Sequence, residues 1–419
     1  MTGVAIPYLC RMIFHEVIGQ ENVKHRLADL FNRNRLGHAL LFLGREGSGA
    51  LPLALAFAQY IVCERSSGRT AKATGPSLFA DPSPTPKDEV SQAADACGTC
   101  ASCIKAAQLI HPDIHFSYPV IARKSGEKPI STDFIQEWRE FITAQPYGNV
   151  FDWLQHIGAE NKQGNITAAE CNDIIRKISL KSYEGAYKIL ILWMPEYLEK
   201  EGNKLLKIIE EPPGDTLFIL VAENESLILP TLLSRCQLIK IPALDHDAIR
   251  ESLSKKEGLP AGQADQVAAV AEGNYREALQ LLHQSDEDWQ TLLRDWLNTI
   301  LKTGPAAQVK WVDEAAKLGR EKQKQFLRYF NHLLEQAVRI RAIGEAGADK
   351  IHIPANELDF AERLNKIADI SQQQALIEEL DKASYYIERN ANAKMLFMAL
   401  TIKCYHIFAN KSVILMDDE

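Results

Sequence analysis

Residues 39–51 read ALLFLGREGSGAL, an apolar segment that enters a glycine-rich loop and leaves it directly into the helix-patterned run LPLALAFAQYIV. A buried strand, a loop of small residues and a helix in immediate succession constrain the fold more than any other stretch. Backbone N–H groups and a helix start then face one point, where an anion can be cradled. Gly44 and Gly49 have the spacing of GxxxxGK[ST], with Gly47 between them, but Ala50 stands at the lysine position and Leu51 at the Ser/Thr position. Without the ammonium there is no point charge for the β and γ phosphates, and without the hydroxyl no ligand for Mg²⁺. Gly44, Gly47, Gly49, Ala50 and Leu51 therefore read as a degenerate phosphate loop, first as a structural turn and second as a site of residual nucleotide binding through backbone amides.

Continuous apolar runs predict strands at Ala39–Leu43, Lys188–Trp193, Thr216–Ala222 and Gln237–Ile241, separated by helical patterns. Runs of this length belong to strands buried on both faces of a parallel sheet, so an α/β architecture is expected. After KILIL an active nucleotide hydrolase needs carboxylates to hold Mg²⁺ and polarise water, yet Trp193, Met194, Pro195 and Glu196 follow. An indole and a thioether cannot do that, and Glu196 reads as a solvated acid at a helix start. Both halves of the site lack their working groups.

At 419 residues the chain is long enough for two or three domains. An α/β domain is expected over 14–242, a small helical unit over 243–285 and a helical C-terminal domain over 286–419. Residues 64–96, rich in Ser, Pro, Gly and charge, read as a flexible loop. Residues 123–165 read as a second insertion whose aromatic segment FIQEWREFITAQPYGNVFDWL packs locally, before a helix opened by Thr167 and Glu170 in a capping box. In the C-terminal third, Trp289, Leu292, Leu293, Trp296, Leu297, Ile300 and Leu301 form one amphipathic stripe. The segment from Tyr385 to Phe408 is apolar enough to be either bundle core or an oligomer interface.

Three of the eight cysteines fall in CxxCxxC, Cys97, Cys100 and Cys103, and Cys63 lies upstream. Four thiolates suit a closed, tetrahedral structural zinc site. The 33-residue spacer after Cys63 does not exclude it, because closure entropy grows only logarithmically with loop length. His111 and His115 compete for the fourth position and rank below Cys63. An iron–sulfur cluster is disfavoured because Ala107 stands near where a further cysteine is needed. Cys10, Cys171, Cys236 and Cys404 read as ordinary buried thiols.

The stretches FHEVIGQENVKHRLADLFNRNRLGHALLFLGREGSG, CGTCASCIKAAQLIHPDIH, ISLKSYEGAYKILIL, GNKLLKIIEEPPGDTLFILVAENESLILPTLLSRCQLIKIPAL and GNYREALQLL together resemble the delta-prime subunits of bacterial DNA polymerase III clamp loaders, within the AAA+ group. Over the last third the resemblance is weaker and rests on YYIERNANAKMLFMAL and the helical pattern. It implies a zinc module within 63–103, a helical lid over 243–285 and an oligomerising collar over 286–419. It also implies that Arg235, in SRC, is an arginine finger reaching a neighbour's γ-phosphate. By residue type alone Arg235 is a surface arginine paired with a carboxylate. Asn224 and Arg276 match two sensor positions and read as structural remnants in a chain without a working phosphate loop.

The resemblance implies a non-hydrolysing stator with structural Zn²⁺ and no ATP in its own site. The partners implied are tau/gamma-type ATPase subunits, a delta subunit and, through the complex, a sliding clamp and primer-template DNA. The alternatives are a weakly active AAA+ ATPase and a zinc-containing nucleic-acid-binding module. A net charge of −8 argues against autonomous binding to a phosphate backbone. No apolar run reaches bilayer length and residues 1–12 lack a secretory pattern, so no membrane contact and a cytoplasmic location are expected.

Overall fold

Five strands, β1 (Ala39–Gly44), β2 (Ile114–Ser117), β3 (Lys188–Trp193), β4 (Thr216–Ala222) and β5 (Gln237–Ile241), pair in parallel in the order β2-β3-β4-β1-β5. The registers place Leu41 beside Leu220 and Leu238, and Ile191 beside Phe116 and Ile219. The computed structural model describes residues 12–66, 95–124, 126–159, 162–283, 289–343, 355–388 and 391–410. Most of the loop expected at 64–96, together with Cys10, lies outside them. The α/β expectation holds, and its four strands are found. The addition is β2, whose four residues follow a polar HPD start and carry too short an apolar run to be recognised.

Helices α1 (Glu21–Asn32), α2 (Ala50–Val62), α3 (Ala101–Ala107), α4 (Ile135–Ala144), α5 (Val150–His156), α6 (Ala168–Ser179), α7 (Leu206–Glu210) and α8 (Pro230–Leu233) accompany the sheet. Successive strand residues point to opposite faces, and both faces are covered. Leu40, Phe42, Ile191 and Ile219 pack with Leu53, Phe57 and Ile61 of α2. Leu41, Leu192 and Phe218 pack with Ile174 and Ile178 of α6 on the other side. Every residue of α2 is buried, which explains why its sequence is apolar all round rather than striped. Thr167 caps α6, its Oγ1 accepting the Glu170 N–H at 3.3 Å, but the reciprocal half of the expected box is not made. The Glu170 carboxylate accepts the Ser131 N–H at 2.6 Å instead.

The aromatic segment of the second insertion packs locally as expected, Trp138 and Phe141 lying 5.3 and 5.5 Å from Trp153, and it also joins the sheet. Trp138 of α4 stacks on Tyr118 at 4.0 Å and lies 5.2 Å from Trp193 at the end of β3. Trp153 of α5 donates its indole N–H to the Pro119 carbonyl at 2.7 Å. These rings join the sheet's own core, so α4 and α5 are fixed beside the carboxyl ends of the strands.

The chain divides into two compact units, Met1–Leu282 and His283–Glu419. In the first, α9 (His246–Lys256), α10 (Ala261–Ala271) and α11 (Tyr275–His283) follow the sheet. Their core of Ile249, Leu253, Ala268 and Tyr275 also takes in Ile18 and Tyr147. The second unit comprises α12 (Trp289–Leu301), α13 (Pro305–Ala315), α14 (Arg320–Ile343), α15 (Ala355–Ile367), α16 (Ile370–Glu388) and α17 (Ala393–Asn410). Trp296 stacks on Trp311 at 4.9 Å and donates its indole N–H to Thr401 at 3.0 Å. Helix α17 has two characters. Phe397, Leu400, Cys404 and Ile407 are core, while Met395, Ile402 and Tyr405 are 74%, 46% and 43% exposed. None of the described helices is long and apolar enough to cross a membrane.

Candidate functional sites

The degenerate loop links β1 to α2 at the carboxyl end of the sheet, where β1 sits between β4 and β5, the place at which open α/β sheets bind ligands. Gly47 and Gly49 take left-handed φ values of 70° and 87°, a conformation that glycine adopts without strain. The protein's own side chains then fill the mouth of this loop. Tyr147, from the insertion, lies so close to Gly49 that a Cβ there would stand 3.1 Å from its ring. The Tyr147 hydroxyl accepts the Ile18 N–H at 2.9 Å, and its ring meets Tyr275 edge-on at 4.9 Å. Asn274 presses on Gly47, and the Tyr275 N–H donates to the Gly47 carbonyl at 3.2 Å.

Arg276 closes the arrangement. Its Nη1 donates to Glu46 of the loop at 2.9 Å and its Nη2 to Asp152 of α5 at 2.6 Å, with the Arg276 side chain 4% exposed. Asn149 and Asn274 also donate to Glu46, at 3.2 and 3.4 Å. Arg276 thus answers two internal carboxylates from a buried position. The space left beside Gly44, Gly49, Ala50, Trp193 and Glu223 is about 30 Å³, the scale of one or two waters. Sequence reasoning missed Tyr147, Asn149 and Asp152. The only local signal was the Asn149/Asp152 spacing, which makes a capping box on α5.

At the end of β3, Met194 turns the chain with φ 59° and Glu196 follows. The expectation of a solvated acid is corrected. Glu196 is half-buried, its Oε1 accepts the N–H groups of Glu223 and Asn224 at 2.7 and 2.9 Å, and burial pushes its carboxyl above the ordinary range. It ties the end of β3 to the end of β4. Asn224 in turn accepts the Ser226 N–H at 3.0 Å, capping a short turn.

Arg235 lies between α8 and β5 with its side chain 32% exposed. Nε donates to Glu210 Oε2 at 3.1 Å and Nη2 stands at ion-pair distance, 3.1 Å, from the same oxygen, while Nη1 donates to the Thr231 carbonyl at 2.9 Å and to Ser234 Oγ at 3.3 Å. All three guanidinium nitrogens are therefore engaged, two by the carboxylate at the end of α7 and the third by Thr231 and Ser234, in a partly exposed side chain.

The structure brings Cys63, Cys97, Cys100 and Cys103 together, all four Sγ atoms within 4.8 Å of one another. Tetrahedral ZnS₄ coordination at a Zn–S distance of about 2.3 Å needs sulfurs about 3.8 Å apart, and Cys97 and Cys103 stand at 3.9 Å. Cys63 terminates α2, and the CxxCxxC turn places its N–H groups on sulfurs. Cys97 N–H donates to Cys63, Cys100 N–H to Cys97 and Cys103 N–H to Cys100, at 3.3, 3.4 and 3.4 Å. The contact between Cys103 and Cys63 holds Cys63 well below the ordinary thiol range and pushes Cys103 up, so without an ion the pair shares one proton, which a bound metal would displace. This set can hold a metal such as zinc. His111 faces Glu184 at 3.3 Å and accepts the Asp113 N–H at 3.2 Å, and His115 lies on β2; neither belongs to the cluster. Cys171 and Cys404 are buried thiols as expected, whereas Cys236 is only half-buried. Two residues before Cys97, Asp95 accepts the N–H groups of Phe14 and His15 at 3.0 and 2.9 Å.

The family described as "DNA polymerase III, delta subunit" matches residues 19–77 and 85–245. The delta' subunit of Pseudomonas aeruginosa is 26% identical over 283 residues, 67% of this chain and 66% of that protein. The delta' subunit of Bacillus subtilis is 24% identical over 262 residues, 62% of this chain and 59% of that protein. The tau subunit of the same organism is 25% identical over 330 residues, 77% of this chain and 46% of that protein. The chain thus spans about half to two thirds of the relatives it matches. With more than half of its residues inside the matched segments, the chain belongs to the DNA polymerase III delta-subunit family, as a clamp-loader subunit of the delta-prime type.

Proposed function

We propose that this chain is a non-hydrolysing clamp-loader stator that offers Arg235 in trans to the ATP site of an adjacent tau/gamma-type subunit. The observation that carries the reading is the placement of Arg235. A permanently charged guanidinium stands at the surface, held by Glu210, in a chain whose own phosphate loop lacks lysine and hydroxyl. Arginine suits the task because its planar fork engages phosphate oxygens as charge redistributes in phosphoryl transfer. The four cysteines hold a structural zinc ion, which needs no open coordination position. The C-terminal unit serves as an oligomerising collar, for which the exposed Met395, Ile402 and Tyr405 of α17 are suited. A delta subunit, the sliding clamp and primer-template DNA are reached through the assembly.

The test is reconstitution with the ATPase and delta subunits. Arg235→Ala is expected to leave a stoichiometric complex but to slow DNA-stimulated hydrolysis at the neighbouring site by a factor on the order of 10³. Unchanged hydrolysis in a normally assembled complex would remove the finger assignment. ATP turnover by the isolated chain would instead favour a weakly active ATPase.

A further inference from the structure

Residues 123–165 have no role in the reading above, yet they supply Tyr147 and Asn149, which meet the phosphate loop, and Asp152, which holds Arg276 beside it. We propose that this insertion is the resident occupant of the crevice, and that Tyr147 and Asp152 determine that it accepts no nucleoside triphosphate. The proposal rests on the reading that the chain does not use its own site, and it assigns the cause to the insertion as well as to the missing lysine.

Three features carry it: Tyr147 and Asp152 come from the insertion, and Asn274 of the following helical unit completes the closure they begin. Tyr147 covers Gly49, the glycine at the start of α2, and its hydroxyl is pinned by Ile18. Asn274 contacts Gly47, the other left-handed glycine of the turn. Phosphate oxygens approach such loops through their backbone N–H groups, and here Tyr147 and Asn274 stand against the Cα atoms of both glycines and narrow the space in front of them. The third feature is charge. Glu46 and Asp152 place two carboxylates at the loop, and Arg276 is already committed to both. A polyphosphate entering here would meet like charge and compete with covalently tethered anions, whose effective concentration favours them. Anchoring is firm, because α4 and α5 are held to Trp193 and Pro119 by Trp138 and Trp153.

Restoring the missing catalytic letters therefore does not suffice to restore binding. The experiment uses four full-length proteins: the unaltered chain, Ala50→Lys/Leu51→Thr, Tyr147→Ala/Asp152→Ala, and all four substitutions together. A fluorescent ATP analogue with Mg²⁺ is the probe, and circular dichroism and thermal melting report folding. The combined variant is expected to bind at least about 100-fold more tightly than Ala50→Lys/Leu51→Thr, with the unaltered chain showing no binding. If the Asp152 substitution prevents folding, Tyr147→Ala in the Ala50→Lys/Leu51→Thr background carries the same comparison, with Tyr147→Phe expected to stay closed. Equal binding by Ala50→Lys/Leu51→Thr and the combined variant overturns the assignment to the insertion while leaving the disused site intact. So does a folded combined variant that does not bind. Tight binding by the unaltered chain defeats the underlying reading itself.

Discussion

Arg235 and Glu210 are joined through a single oxygen: Nε and Nη2 of the arginine each lie 3.1 Å from Glu210 Oε2, across 25 residues of sequence. The pair is partly exposed, and exposed pairs of this kind contribute about 0–1 kcal/mol to folding. What the contact does fix is the orientation of the guanidinium.

Glu210→Ala should therefore leave urea unfolding of the isolated chain within about 1 kcal/mol of the parent. In the assembled loader it should slow DNA-stimulated hydrolysis several-fold. The same substitution placed on Arg235→Ala should add nothing further, since two residues acting through one interaction are not additive. Independent, multiplying losses in the two backgrounds would show that Glu210 acts elsewhere.

Removal of metal should act on folding before it acts on assembly. Zinc-finger peptides draw about 10–16 kcal/mol from the ion. Chelation, or Cys103→Ser, should accordingly loosen residues 95–107 and lower the melting temperature. Elemental analysis should find one zinc per chain in the parent and in Cys171→Ser or Cys404→Ser, and a large loss in Cys63→Ser. Full zinc content in Cys63→Ser would transfer the fourth position to another group.

His115 on β2 is pushed down to about 4 by burial, with Lys177 and Lys188 adding to the effect. A folded pKa below the unfolded value of 6.5 means that the neutral ring's contribution is present above about pH 6.5 and is lost as pH falls toward 4. Denaturant titrations from pH 7 to pH 4 should show a loss of about 2–3 kcal/mol from this group. His115→Gln should remove that share of the slope. Glu170, raised by burial, runs the other way: its contribution is present at low pH and declines as pH rises through its folded value. Parallel pH profiles for the parent and His115→Gln would contradict the assignment.

The exposed side of α17 offers a separation of folding from assembly. Met395, Ile402 and Tyr405 stand away from the core formed by Phe397, Leu400 and Cys404. Ile402→Glu with Tyr405→Glu should leave the melting temperature within about 2 °C yet weaken formation of the complex by at least tenfold in analytical ultracentrifugation. Unchanged association would remove this face of α17 from the proposed assembly contact.

The strands were legible because ALLFL, KILILW, TLFILVA and QLIKI are continuous apolar runs, a property that survives without knowledge of their neighbours. The lost lysine and hydroxyl were legible because they are read from a fixed spacing. What fills the loop was not. Arg276 and Asp152 are 124 residues apart, and neither carries a local sign of the other. The same is true of Trp138, whose apolar surroundings suggested a local cluster while its partner Trp193 comes from the sheet. Glu196 does stand in the first turn of a helical segment, as its sequence setting indicates, but it is not solvated there. Its burial follows from the adjacent turn after β4, which no periodicity reports.

One contact far from any phosphate makes the sulfur cluster more than a local staple. Asp95 holds the backbone of Phe14 and His15, and Phe14 reaches inward to the rings of Phe57 and Tyr60. The chain that precedes Cys97 therefore serves as a latch on the entry to the domain. Oxidation of the thiols, or theft of a bound ion, should be felt as proteolytic vulnerability around Ile13, more than 80 residues upstream of Cys97 in the primary sequence.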